Sequence, residues 1–264
     1  MVLRVKEVDG SDCRLYSLYK ILNYYNTKID EKVVSLRFKN LNIKLTIMKQ
    51  LFLAITILVS TFASAQTTSG SKASKAPMQL TTFDTIKLQA PDTLGGKPLM
   101  QAIARRKSDR EFETRNLSLK HLSEVLWVAN GINRANGKRT VPSSMGRYPL
   151  QTYAVLANGI YFYNPVKHQL EPLVKGDFRS LAGKQTFVDT APLNLLFIAK
   201  GKTAADNFIP AIEDSGYCCQ NVYLYCASEG MKCVVRAGAK EVELLKAMNL
   251  GDNFKFIMAQ TVGY

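Results

Sequence analysis

The chain has 264 residues, 47% of them hydrophobic, a formal net charge of +14, two histidines and five cysteines. That length and apolar content suffice for one large core or two small ones, and the cationic excess favours anionic partners such as nucleotides or a membrane surface. The charge is spread along the chain with no long basic block and no finger-like motif, which argues against nucleic acid. No CxxC or HxxxH spacing occurs, which argues against zinc.

Residues 1–47 are rich in Lys, Arg, Asn and Tyr, and the character changes at Met48. Met48-Lys49-Gln50 is a short positive region, Leu51 to Val59 is apolar, and Ala63-Ser64-Ala65 before Gln66 is an A-x-A cleavage site. Those parts in that order form a secretory signal peptide. A membrane anchor is the competing reading, but the apolar run falls short of the roughly 20 residues that span a bilayer. The expected organisation is therefore an upstream extension over 1–47, foreign to the mature protein, and a signal peptide over 48–65. A linker and extended arm over 66–94 and a folded domain over 95–264 follow. Location outside the cytoplasm, in a bacterial periplasm, is expected, with no stable membrane anchor after cleavage.

Within the domain, Pro98 suits the first turn of a helix that runs to about Lys107. Ser118 is the expected N-cap of a second helix, with Leu119, Leu122, Leu126 and Ala129 as its apolar stripe and Gly131 as its stop. Trp127 is expected in the core. Residues 133–147 form a loop long enough to be functional. Thr152–Leu156 and Ile160–Tyr163 predict a hairpin with Asn158-Gly159 at its turn, and Gln169–Val174 a third strand. Gly176–Gln185 predicts a helix, and the continuous apolar run Leu193–Ala199 a buried strand. Asp206 to Gly230 predicts the longest helix, apolar on more than one side and so buried in a core or a subunit interface. Cys233–Arg236 and Phe254–Val262 predict strands flanking a short helix, Glu241–Met248. The order defines an α+β fold with a mixed central sheet covered by helices.

Arg105, Arg106, Lys107 and Arg110 place four cations around Ser108 within six residues. Arginine supplies a planar fork of donors, lysine a point charge and serine a short hydroxyl, a set suited to a phosphate. The alternative is a solvated basic helix end, since cations favour the last turn of any helix.

Three segments in register resemble the FMN-dependent nitroreductase family, and within it the azoline-oxidase-like, SagB-type dehydrogenases. Arg106 to Phe112 is similar to RRS-x-R-x-F, and Pro142 to Leu150 is similar to PSAGALYPL. Asp214-Ser215-Gly216 with Gln220-Asn221 and Gly230-Met231 is similar to D-A-G-x-x-x-QN followed by G-L. The resemblance implies an intertwined homodimer with two FMN sites at its interface and the long helix within that interface. By position, Arg106, Lys107, Ser108 and Arg110 would hold the phosphate, ribityl chain and ring edge. Pro142, Ser143 and Ser144 would reach the flavin from the other chain. Arg236, Ala237 and Gly238 match the main chain beside the reactive nitrogen N5. Met145-Gly146-Arg147 departs from the family pattern and adds a charge.

The resemblance implies an oxidoreductase that moves hydride or electrons between a donor and a small organic acceptor of nitro, quinone or azoline type. The flavin then carries the chemistry and no catalytic acid or base is required. His121 and His168 read as structural, and Cys218, Cys219, Cys226 and Cys233 as buried small hydrophobes. The alternatives are a non-catalytic flavin or nucleotide binder and a secreted module with a degenerate site.

Overall fold

Alternation along the strands explains how one sheet is covered on both sides. The computed structural model describes residues 76–264. Seven strands form the sheet: β1 (Ile86–Lys87), β2 (Leu150–Leu156), β3 (Gly159–Asn164), β4 (Gln169–Lys175), β5 (Leu193–Lys200), β6 (Lys232–Arg236) and β7 (Phe254–Gly263). Their spatial order is β1-β4-β3-β2-β5-β7-β6. In β2, Ala154 and Leu156 face one apolar cluster, and Tyr153 and Val155 face the other. In β5, Leu195 and Phe197 face the first and Leu196 and Ile198 the second. A strand buried on both faces reads as an unbroken apolar run, as Leu193–Ala199 does.

The first cluster is closed by helices α2 (Leu119–Asn130) and α3 (Ile209–Glu229), and the second by α4 (Glu241–Ala247) and short turns around Ala182 and Val188. The remaining helix, α1 (Leu99–Arg105), packs against α3. The fold is α+β, as expected. The six strand pairings are all antiparallel, so the mixed character expected of the sheet does not arise from any pair among the described residues.

Helix signals were legible. Ser118 Oγ accepts the His121 N–H at 3.1 Å and Gly131 caps the other end of α2. Gly230 ends α3 in the left-handed conformation, φ 72°, which glycine adopts without a Cβ penalty. Three expectations need correction. The stretch Gly176–Gln185 forms only a short 3₁₀ turn, Arg179–Leu181, because Phe178 and Leu181 serve as anchors under the sheet rather than as a helical face. The hairpin turn lies one residue earlier, at Ala157-Asn158, since Gly159 already pairs with Leu156. Trp127 is half-buried rather than core: its indole N–H donates to Ile132 O at 3.0 Å, and its ring lines a cleft of about 450 Å³ between α1, α2 and α3.

The extended arm is not idle. Met78, Leu80, Phe83, Ile86 and Leu88 pack on the first cluster, and β1 pairs with β4. His168 pins it, with Nε2 on Gln89 O at 2.8 Å and Nδ1 on Tyr163 OH at 3.0 Å. The expected extension, signal peptide and start of the linker lie outside the described residues.

Candidate active site

The basic segment leaves α1 at Arg105 and continues as an extended strap beside β6 and β7. Helix α1 ends two residues before Lys107, and the strap is held by main-chain bonds: Asp109 N–H to Cys233 O and Glu113 N–H to Tyr264 O, both at 3.0 Å. Phe112 locks its far end against Phe187, with ring centroids 5.5 Å apart. Arg106, Lys107, Ser108 and Arg110 are all exposed along this strap. Lys107 pairs with Asp109 at 2.9 Å. An exposed pair of this kind contributes little stability.

Tyr223, on α3, organises the strap. Its ring lies under the Arg106 guanidinium, 5.2 Å away, and its hydroxyl is 2.7 Å from Ser108 Oγ. The same hydroxyl accepts the Val235 N–H at 3.0 Å. One phenol thus joins the strap to the strand that ends in Arg236. Arg105, Lys107, Lys232 and the Gly230 turn border a cleft of about 460 Å³ there.

Arg236 itself is spent on structure. Its buried guanidinium donates to Ala182 O at 2.6 Å, Asn194 Oδ1 at 3.0 Å and Thr261 Oγ1 at 3.1 Å. Bonds from a charged donor are worth roughly 1.5–3 kcal/mol each, which offsets part of its desolvation. Burial lowers its pKa to about 10, so it remains a cation at neutral pH. Beyond it, Ala237 is exposed, and a side chain built on Gly238 would meet nothing within 4 Å. The main chain there opens onto free space.

Pro142, Ser143 and Ser144 lie elsewhere, in the loop between α2 and β2. Pro142 and Ser144 are exposed, and Ser143 Oγ accepts the Tyr148 N–H at 3.0 Å. The structure therefore brings the strap and the β6 end together through Tyr223, and leaves the serine loop apart within one chain. In the third motif, Asn221 ties α3 to α2: its amide donates to Val128 O at 3.0 Å. Tyr223 and Lys232 were missed by sequence reasoning. Tyr223 sits within the Gln220 to Leu224 segment, but nothing local marks its hydroxyl as shared between a strap and a strand.

The four described cysteines are buried, unpaired thiols. Burial pushes Cys218 up to about 12 and Cys226 well above the ordinary thiol value, the latter with help from adjacent Cys233. Such thiols are poor nucleophiles. His121 and His168 are both engaged in structural hydrogen bonds.

A chain with this antiparallel α+β fold, a cationic strap and a glycine-lined main-chain opening matches the nitroreductase family over residues 103–264, and it belongs to that family. The family places it among oxidoreductases. A Methanocaldococcus jannaschii protein named as a nitroreductase is 31% identical over 166 residues, covering 57% of this chain and 83% of its own length. A crystal structure of a Ralstonia eutropha protein named as a nitroreductase is 39% identical, covers 72% of this chain and 93% of that one, and superposes with a TM-score of 0.65. The Escherichia coli microcin synthetase complex shares the fold at 18% identity and a TM-score of 0.51, over 74% of this chain and 85% of that one.

Proposed function

We propose that this protein is an exported, homodimeric FMN-dependent oxidoreductase of the azoline-oxidase-like branch, acting on a small organic acceptor. The single observation that carries the reading is the Ser108–Tyr223–Val235 chain. Val235 N–H donates to the phenol oxygen, so the phenol proton can go to Ser108 and the Ser108 proton remains for a ligand. Around it stand Arg106 and Arg110, which form no salt bridge among the described residues, and Lys107, which is paired with Asp109. A phosphate fits that donor set.

Arg106, Lys107, Ser108 and Arg110 would hold the phosphate and ribityl chain of FMN. Ala237 is exposed and the space beside Gly238 is open, which leaves room for a flat ring to approach. When bound, FMN supplies hydride- and electron-transfer chemistry at its ring. This chain's residues clamp, orient and polarise, and no side-chain acid or base is assigned.

A second copy fits the outer face of α1 and α3. Leu99 and Met100 are 63% and 73% exposed, and Ile209 and Ile212 are 61% and 52% exposed. Side chains of this size gathered on two adjoining helices support an interface there. In a dimer, the loop bearing Pro142, Ser143 and Ser144 would serve the flavin of the partner.

The test is flavin content. Purified protein should show flavin absorbance in the visible, and the double variant Arg106→Ala, Ser108→Ala should lose most of it. Unchanged flavin per protein in that variant would remove the site assignment. A non-catalytic binder would keep the colour yet fail to pass electrons to nitro or quinone acceptors after chemical reduction.

A further inference from the structure

A separate cavity of about 250 Å³ opens where the α2–β2 loop meets the start of β2 and the end of β5. Arg139, Arg147 and Lys200 all line it, and no aspartate or glutamate does. The other clefts differ. Lys107 meets Asp109 in the strap cleft, and Lys120 meets Glu124 in the cleft beside Trp127. Among the described residues, none of the three cations here makes a salt bridge.

Two further lining side chains offer donors to the cavity. Gln151 Oε1 is already capped by the Tyr153 hydroxyl at 2.6 Å, which leaves its amide N–H groups. Thr152 Oγ1 accepts the Asn130 amide at 3.1 Å, which leaves its hydroxyl proton. Arg139 lies 5.0 Å over the Tyr148 ring, and burial lowers its pKa from the usual guanidinium value. Tyr148 itself is held at φ 47°, a conformation unusual for an aromatic residue. Its N–H on Ser143 Oγ and its phenol oxygen accepting the Arg139 N–H at 3.3 Å keep it there. Backbone strain of this kind costs about 1–3 kcal/mol, and it gathers where a loop is shaped for a ligand.

We propose that this cavity is a binding site for the carboxylate of a small organic acid. Arg139 and Arg147 supply forked donors to its oxygens, Lys200 adds charge, and Gln151 and Thr152 complete the donor set. Three cations line one cavity whose lining holds no acid, and a bound carboxylate supplies the missing counter-charge. The assignment stands on the geometry of one chain and does not require the flavin reading.

The experiment is a calorimetric titration of the purified full-length protein at low ionic strength. Benzoate is the probe, with benzyl alcohol as its neutral counterpart and inorganic phosphate as the competing oxyanion. Benzoate should bind and benzyl alcohol should not. Arg147→Gln, at an exposed position that should not disturb folding, should weaken benzoate about tenfold, the worth of one charge-assisted pair. Arg139→Gln should weaken it at least as much. Flavin content, read on the same samples, should not change in Arg147→Gln. Equal binding of benzoate and benzyl alcohol, or wild-type affinity in Arg147→Gln, would overturn the site. Tighter binding of phosphate than of benzoate would overturn the carboxylate assignment.

Discussion

Tyr223 and Arg236 show that a side chain's type does not settle its use. Arg236 is a cation beside the candidate site, yet all three of its nitrogens are turned inward to Ala182, Asn194 and Thr261. Tyr223, an ordinary aromatic on a long helix, holds Ser108 and Val235 with one oxygen. His168 makes the residue scale testable through pH. Burial is the main cause that lowers its pKa from 6.5, opposed by its hydrogen bond to Gln89. Below 6.5 the unfolded chain therefore binds more protons than the folded one, and stability falls as pH drops through the folded pKa. Protonation also ends the ability of Nδ1 to accept from Tyr163 OH. The unfolding midpoint should decline from pH 7 towards pH 5, and His168→Gln should flatten that slope, as thermal melts across the range would show.

Elements in this fold are placed by what crosses between them. The arm carrying β1 has a two-residue strand, too short to persist alone, and it stays because five apolar side chains and His168 anchor it. Gly159 is the close approach that permits this docking. A Cβ there would overlap the Phe83 ring and lie 2.7 Å from Val174 O. The ring could turn aside, but the carbonyl belongs to β4 and cannot. Gly159→Ala should therefore cost about 1–3 kcal/mol, the usual penalty for overpacking, measurable by urea unfolding. Helix α3 carries two different faces. Cys218, Val222 and Cys226 seal the core, while Ile209, Ile212 and Tyr217 face outward. Its weak amphipathicity is the consequence of those two apolar sides.

At the scale of the whole molecule, the candidate site is divided. The strap and the β6 end are joined through Tyr223, whereas Ser143 and Ser144 lie in the α2–β2 loop. In the proposed dimer, the loop of one copy serves the strap of the other. The double variant Leu99→Glu, Ile212→Glu should be monomeric by analytical ultracentrifugation and should lose flavin, although neither residue lies in the strap. A dimer that persists in this variant would place the interface elsewhere.

Local signals were enough for most of the scaffold. The Ser118 cap, the Gly230 stop, the unbroken run of β5 and the two-sided α3 were legible because each depends on residues near one another in the chain. The cation cluster around Ser108 was legible for the same reason. The short turn at Arg179–Leu181, the shift of the hairpin to Ala157-Asn158 and the inward Arg236 were not. The first and the last are decided by partners far away in sequence, the second core cluster and the Asn194–Thr261 pair, and the hairpin by the Leu156–Gly159 pairing. The cavity of Arg139, Arg147 and Lys200 likewise exists only after folding, because burial and the company of other charges are properties of the tertiary structure.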